Sequence, residues 1–170
     1  MKLTTGEIEK ALSVKANIDL DITVCDIVTD SRKADENTLF VALKGENFDG
    51  HDFIDAVYNN GCRAVVIHKD VPLKEGMIAF KTEDTMLSLS HLAKFVIDKS
   101  KVRRIAVTGS VGKTTTKEML GAVAEKISPT LKTIGNFNNN IGVPLTAFSL
   151  KDEKIGIFEM GMNHYGEIEY

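Results

Sequence analysis

The chain has 170 residues, 43% of them hydrophobic and 26% charged, which is typical of a soluble globular protein and excludes a disordered one. Its net charge of -3 comes from 24 acidic and 21 basic residues without a long block of one sign. Nothing therefore indicates a nucleic-acid or membrane surface. The sequence shows no signal segment and no apolar run of membrane-spanning length, so we expect a cytoplasmic protein with small-molecule ligands.

The first hundred residues predict alternating helices and strands. Thr4 and Glu7 have the spacing of a capping box, so a short helix should begin there. Apolar periodicity predicts two further helices, over "HDFIDAVYNNG" (51–61) and over residues 84–98. Strands are predicted at "ITVCDIV" (22–28), "TLFVAL" (38–43), "CRAVVIH" (62–68) and "MIAF" (77–80).

The two cysteines, Cys25 and Cys62, lie within these strand-like runs and lack the spacing of metal ligands. Thiols in a cytoplasmic protein are usually reduced. We therefore expect both to be buried and free.

A polar stretch, "DKSKVRR", indicates a boundary between a domain of residues 1–100 and one of residues 101–170. The second domain should contain a strand "RIAVT", a glycine loop, a helix from Lys113 to Lys126, an Asn-rich loop and a strand "IGIFEM". The apolar face of that helix is predicted to hold Met119, Leu120, Val123 and Ile127. The order of elements predicts an α/β fold with a largely parallel sheet. Nucleotide-binding domains of this kind need about 100–150 residues, so we expect this one to be truncated.

The glycine loop "TGSVGKTTT" (108–116) follows a strand and opens a helix, an arrangement that directs backbone N–H groups and the helix dipole at a phosphate. Gly109 and Gly112 allow close backbone approach, Lys113 can neutralise β- and γ-phosphates, and the Thr114 hydroxyl can bind Mg²⁺. Val107 occupies the place of the first glycine in the usual pattern. A plain Gly/Ser turn with a surface lysine is the alternative.

Three other features carry weaker signals. Glu159 ends the strand "IGIF" and is either a Mg²⁺ ligand beside the loop or a solvated strand-end carboxylate. The asparagines of "GNFNNNIGVPLT" either line the site or form an ordinary turn. His164 is either a surface histidine or a polar contact near the phosphates.

Three segments of the chain together resemble the Mur ligases of peptidoglycan synthesis. "TGSVGKTTTKEM" resembles their ATP loop, while "TIGNFNNNIGVPLT" and "EMGMNHYGEIE" resemble the branch that adds D-alanyl-D-alanine. The stretch "TDSRKADENTLFVALKGENFDGHDFIDAVYNNGCRAVVI" is similar to the UDP-binding domain of the family. The resemblance implies a small α/β UDP-binding domain followed by the start of a P-loop α/β domain, and a front portion of an enzyme well over twice this length.

The resemblance also implies an activity and its residues. ATP would phosphorylate the carboxylate of a UDP-N-acetylmuramoyl-tripeptide, and the amine of D-alanyl-D-alanine would attack the acyl phosphate. The phosphates of ATP would be held by Gly109, Ser110, Val111, Gly112, Lys113, Thr114 and Thr115. Lys113 and Glu159 would be catalytic, and Thr114 and Glu159 would bind Mg²⁺. The nucleotide-sugar substrate would be bound by Ser31, Arg32, Asn47, Asp49, His51, Asn138, Asn139 and His164.

For the residues of the front domain, turns and helix starts are the alternative interpretation. The competing functions are the diamino-acid-adding branch of the family, a small-molecule kinase, and a non-catalytic UDP-sugar-binding fragment. We expect no nucleic-acid partner, no membrane insertion and a monomeric complete enzyme.

Overall fold

A computed structural model describes residues 1–162, which fall into two compact units, one of Met1–Leu92 and one that begins at Ala93. The division lies inside a helix of residues Thr85–Ser100, and the boundary expected between residues 100 and 101 remains a prediction. None of the helices in this described part is both long and apolar enough to cross a membrane.

The first unit is built on a four-stranded parallel sheet. Its elements are β1 (Leu3–Thr4), α1 (Thr5–Leu12), β2 (Thr23–Val24), β3 (Asp26–Val28), β4 (Thr38–Val41), α2 (Ile54–Asn59), β5 (Ala64–Ile67), β6 (Ile78–Lys81) and the start of α3 (Thr85–Ser100). The sheet order is β3–β4–β5–β6. Strands β4 and β5 are buried along their whole length, which explains their uninterrupted apolar sequence. Phe40, Val57 and Val65 form part of the core on this sheet.

The predicted capping box and opening helix are confirmed. The Thr4 hydroxyl accepts from the Glu7 N–H at 3.3 Å, and a Glu7 carboxylate oxygen accepts from the Thr4 N–H at 3.1 Å. The run "ITVCDIV", by contrast, is two strands: β2 pairs antiparallel with β1, and β3 enters the main sheet. Cys25 lies at the break between them and is exposed, so the expectation that it is buried is wrong. Cys62 is buried and free, as expected.

The second unit contains a three-stranded parallel sheet. Its elements after α3 are β7 (Arg103–Val107), α4 (Lys113–Ala124), β8 (Thr130–Lys132), α5 (Gly142–Phe148) and β9 (Ile155–Glu159), and the sheet order is β7–β9–β8. The predicted parallel α/β architecture is confirmed. Strand β8 and helix α5 were not predicted. Gly142 and Pro144 are poor helix formers, but both stand in the first turn of α5, where proline is tolerated.

The prediction of which side chains form the buried face of α4 is wrong. Met119, Val123 and Ile127 are 67%, 63% and 76% exposed, and Leu120 is 36% exposed. The buried side carries Lys117, Gly121 and Ala124 instead. A Cβ on Gly121 would lie 2.9 Å from a carbon of the Lys132 side chain, so α4 approaches that side chain closely at this glycine. Apolar spacing alone could not identify this side because it favours large side chains.

The different burial of the two cysteines predicts different thiol reactivity. Brief alkylation of the native protein should modify Cys25 and leave Cys62 unmodified, because a reagent must reach the sulfur. Peptide mapping by mass spectrometry measures both. Cys25→Ser should remove the rapid modification and Cys62→Ser should preserve it; rapid native labelling of Cys62 would contradict the structure.

Candidate functional site

The glycine loop joins the end of β7 to the start of α4. Gly109 has φ of +140° and Gly112 has φ of +77°, both in the region that favours glycine. The loop is exposed at Ser110 and Val111, and the Lys113 ammonium donates to the Gly109 carbonyl at 2.8 Å across it. The first N–H groups of a helix have no partner within the helix. The start of α4 therefore offers backbone donors and a cation to an anionic group.

The register of the sheet brings Glu159 to this loop. Strands β7 and β9 are parallel, and Val107 pairs with Glu159, so the loop and the glutamate leave the sheet at the same edge. The Thr114 hydroxyl on the first turn of α4 donates to Glu159 Oε1 at 3.2 Å. The structure therefore brings together Lys113, Thr114 and Glu159, three of the residues that the sequence singled out.

The Glu159 carboxylate is only 1% exposed. Oε1 also accepts from Asn138 Nδ2 at 2.9 Å, while Oε2 lies 3.5 Å from Lys117 Nζ. Burial raises the pKa of Glu159, but the hydrogen bonds from Asn138 and Thr114 and the charge of Lys117 outweigh burial and lower that pKa overall. Glu159 is thus an anion held in a largely desolvated place.

These residues fit a magnesium ion better than a softer metal. Within residues 1–162 no group of three or more His, Cys, Asp or Glu side chains could hold a metal. Oε2 of Glu159 is buried and accepts no hydrogen bond from the described residues. Mg²⁺ usually binds through one or two protein oxygens, several waters and the phosphates of its substrate. One carboxylate and one hydroxyl beside the glycine loop match that preference.

The Asn-rich loop divides its side chains between two tasks. Asn138 faces Glu159, and its carbonyl accepts from the Gly161 N–H at 2.7 Å. Asn139 instead stabilises the turn that leads into α5, because its side-chain oxygen accepts from the N–H groups of Ile141 and Gly142. Its predicted contact with substrate remains a prediction. His164 lies outside the described residues.

In the first unit, Ser31 and Arg32 form a short 3₁₀ turn, Ser31–Lys33, after β3. The Arg32 guanidinium donates to both carboxylate oxygens of Asp30, at 2.9 and 2.7 Å. These hydrogen bonds lower the pKa of Asp30 to about 2. The Arg32 side chain remains 87% exposed, so its remaining donors face solvent. Asn47 lies in an exposed loop that is closed by a bridge between Lys44 and Asp49.

Asp49 and His51 form a compact polar group in the same unit. The Asp49 carboxylate accepts from Lys69 Nζ at 2.6 Å and pairs with His51 Nδ1 at 2.6 Å. The His68 N–H donates to His51 Nε2 at 3.1 Å, so the proton of a neutral ring is on Nδ1. The hydrogen bond from Lys69 is the main cause that lowers the pKa of Asp49.

The structure therefore places the predicted substrate residue His51 behind Asp49. Its side chain has no exposed surface, and each ring nitrogen already has a protein partner. Burial lowers the pKa of His51, which favours the neutral ring. His51 can position Asp49, whereas direct contact between its ring and a ligand would require one of these bonds to break.

The comparisons with known proteins agree with this geometry. Residues 24–128 match the family described as Mur ligase family, catalytic domain. The chain belongs to the Mur ligase family. Residues 107–170 match the Mur ligase middle domain. The predicted family is thereby confirmed.

Individual relatives of this Mur ligase are similar to it over most or all of its length. A UDP-N-acetylmuramoyl-tripeptide–D-alanyl-D-alanine ligase of Haemophilus influenzae is 38% identical over 100% of the chain, which spans 38% of that relative. A crystallised MurF of Acinetobacter baumannii is 37% identical with a TM-score of 0.91, covering 100% of this chain and 38% of that one. A MurF ligase of Thermotoga maritima in complex with ADP is 35% identical with a TM-score of 0.77, covering 84% and 33%.

Two contacts of the Mur ligase site were missed by sequence reasoning. Lys117 is fully buried and approaches Glu159, and the Thr133 hydroxyl accepts from the Glu159 N–H at 2.9 Å. Lys117 follows Thr114 by one helical turn, and this spacing places the two on the same side of α4. This spacing could have identified Lys117 from the sequence. Thr133 had no such signal, because it follows the unpredicted strand β8.

The buried neutral ring of His51 predicts a pH dependence of stability. Its pKa in the fold lies below the unfolded value of about 6.5, so its contribution is complete above pH 6.5 and is lost as the pH falls. The slope from this group can reach at most about 1.4 kcal/mol per pH unit, because at most one extra proton binds to it on unfolding. Urea unfolding between pH 7.5 and 5 measures it.

The matched variant is His51→Asn, which cannot titrate and can still donate to Asp49. It should be less stable at pH 7.5 by about 1–3 kcal/mol, because the His68 N–H loses its buried acceptor. It should also lose most of the slope between pH 7 and 5. An unchanged slope in this variant would show that other groups cause the pH dependence.

Proposed function

We propose that this chain is the front portion of an ATP-dependent amide ligase that joins D-alanyl-D-alanine to UDP-N-acetylmuramoyl-tripeptide in peptidoglycan synthesis. The observation that carries the proposal is the buried Glu159 carboxylate beside the glycine loop, in a chain 38% identical to a ligase of that name. ATP and Mg²⁺ are the expected cofactors. The expected setting is the cytoplasm, and the complete enzyme is expected to be a monomer.

The reaction would have two steps. A carboxylate oxygen of the tripeptide attacks the γ-phosphorus of ATP, the bond to ADP breaks, and an acyl phosphate forms. The amine of D-alanyl-D-alanine then attacks the acyl carbon, phosphate leaves with the electrons of the C–O bond, and the amine proton passes to a base or water. An amide remains.

The residues of the loop would serve the first step. Backbone N–H groups from Gly109 to Thr115 would bind the phosphates, and the Lys113 ammonium would offset the charge that builds up on the transferred phosphoryl group. Thr114 and Glu159 would hold Mg²⁺, which neutralises phosphate charge when it is bound. Asn138 would keep Glu159 oriented through its 2.9 Å hydrogen bond.

The first unit would bind the UDP end of the substrate. The exposed donors of Arg32 suit a diphosphate, since a guanidinium can bind two of its oxygens at once. Ser31, Asn47 and Asp49 would supply further polar contacts. His51 would act through Asp49, which it holds from the buried side.

Phosphate release by the protein expressed from its complete reading frame tests the assignment. UDP-N-acetylmuramoyl-tripeptide and ATP should give rapid release only when D-alanyl-D-alanine is added. Release from UDP-N-acetylmuramoyl-L-alanyl-D-glutamate and ATP that depends on a diamino acid would instead assign the protein to the sister branch. Substrate binding without release would identify a binding protein, and phosphorylation of a free hydroxyl substrate would identify a kinase.

Lys113→Ala should reduce turnover by at least about 100-fold, because it would remove the cation proposed to stabilise the phosphoryl group in transfer. Affinity for the UDP-linked substrate should stay close to normal, since Lys113 is not among the residues expected to contact it. Steady-state kinetics and calorimetry measure the two quantities. Lys126→Ala, an exposed lysine just after α4, is the matched control. Unchanged turnover in Lys113→Ala would remove this lysine from the mechanism.

A further inference from the structure

Lys117 is a lysine with no exposed side-chain surface, and the mechanism above does not use it. Its ammonium donates to the Gly135 carbonyl at 3.1 Å and lies 3.3 Å from a carboxylate oxygen of Glu118. The third neighbour is Glu159 Oε2, at 3.5 Å. Burying an ammonium is costly unless charges and hydrogen bonds compensate it, so this position is tolerated only with these partners.

These contacts link three separate parts of the second unit. Lys117 belongs to α4, Gly135 opens the Asn-rich loop at φ of +56°, and Glu159 ends β9. Three residues after Gly135, Asn138 donates to the other oxygen of the same carboxylate. One ammonium therefore fixes both the carboxylate and the loop that carries its second hydrogen-bond donor.

The neighbours of Glu159 contact different oxygens of its carboxylate. Thr114 and Asn138 donate to Oε1, whereas Lys117 is the cation nearest Oε2 among the described residues. Oε2 accepts no hydrogen bond from that part of the chain. Lys117 thus restrains Glu159 by charge, while the lone pairs of Glu159 Oε2 stay available to a second cation.

We propose that Lys117 is a positioning residue for the magnesium–nucleotide site: its buried ammonium holds Glu159 and the Asn-rich loop ready for the metal before the nucleotide binds. The inference rests on the proposed function, because it presumes that Glu159 takes part in binding Mg²⁺. A nearby positive charge also repels an incoming cation. A positioning role therefore predicts weaker Mg²⁺ binding when the lysine is removed, and a purely repulsive role predicts tighter binding.

The test compares Lys117→Met with Lys132→Met in the protein expressed from its complete reading frame. Lys132 also contacts Glu118, at 2.8 Å, but its other ion pair is with Glu125 rather than Glu159. Binding of a fluorescent ATP analogue is measured in EDTA and across a Mg²⁺ titration. Lys117→Met should raise the Mg²⁺ concentration that gives a half-maximal effect by about 10- to 100-fold. Mutations of residues that hydrogen-bond or pair with metal ligands typically weaken metal binding by this factor. The affinity of Lys117→Met for the ATP analogue in EDTA should equal that of the unmodified protein. In Lys132→Met, both this affinity and the Mg²⁺ concentration for half-maximal effect should be unchanged.

A double-mutant cycle shows whether Lys117 acts through Glu159. In the background of Glu159→Gln, Lys117→Met should cause no further change in Mg²⁺ dependence, since the group it positions is gone. Hydrogen exchange at the Gly161 N–H, which bonds the Asn138 carbonyl, should become faster in Lys117→Met alone. A general loss of stability would instead weaken binding in EDTA as well.

The contrary outcomes are distinct. Unchanged or tighter Mg²⁺ binding in Lys117→Met, or an equal further loss in the Glu159→Gln background, would overturn the positioning role and leave the proposed function intact. An unmodified protein that binds nucleotide without any response to Mg²⁺ would overturn both. If Lys117→Met fails to fold by circular dichroism, Lys117→Gln, which removes the charge and keeps an amide donor, is judged by the same criteria.

Discussion

The second unit depends on keeping one carboxylate ionised where water hardly reaches it. Glu159 lies at the end of the central described strand of its sheet and is 1% exposed. Such a group persists as an anion only if donors and a cation replace the lost hydration. The chain provides these from α4 and from the Asn-rich loop, through Thr114, Lys117 and Asn138. The parallel register then places this anion at the mouth of the glycine loop.

The first unit uses the same device in another form. His51 is buried, which favours its neutral ring, and it supports the partly buried Asp49, which also pairs with Lys69. In the first unit the buried His51 orients Asp49, which lies nearer the surface. In the second unit the buried Lys117 approaches Glu159, which lies beside the glycine loop. This arrangement fits the general need of binding sites for rigid support behind the groups that touch a ligand.

The sequence predicted the elements that have strong periodicity or clear turn chemistry. Buried strands such as β4 and β5 are apolar throughout, and the glycine loop has a distinctive order of residues, so both were found. The packed side of α4 was missed because it consists of Lys117, Gly121 and Ala124, residues that no hydrophobic pattern selects. Cys25 was misplaced because one apolar run was divided between two sheets. Contacts between distant segments, such as Lys117 with Gly135, leave no local pattern.

The charges of the site explain how a buried lysine and the proposed metal site could share one carboxylate. Without a ligand, the ammonium of Lys117 balances the charge of Glu159, so no net charge is buried. A magnesium ion would arrive with phosphates that offset its own charge, and the glycine loop would bind those phosphates with backbone N–H groups and Lys113. The pair of Lys117 and Glu159 can then stay intact while Oε2 gains a further cation. If the charges of the site are balanced both before and after the metal nucleotide binds, binding does not require the side chains to rearrange. The site is preorganised in this sense.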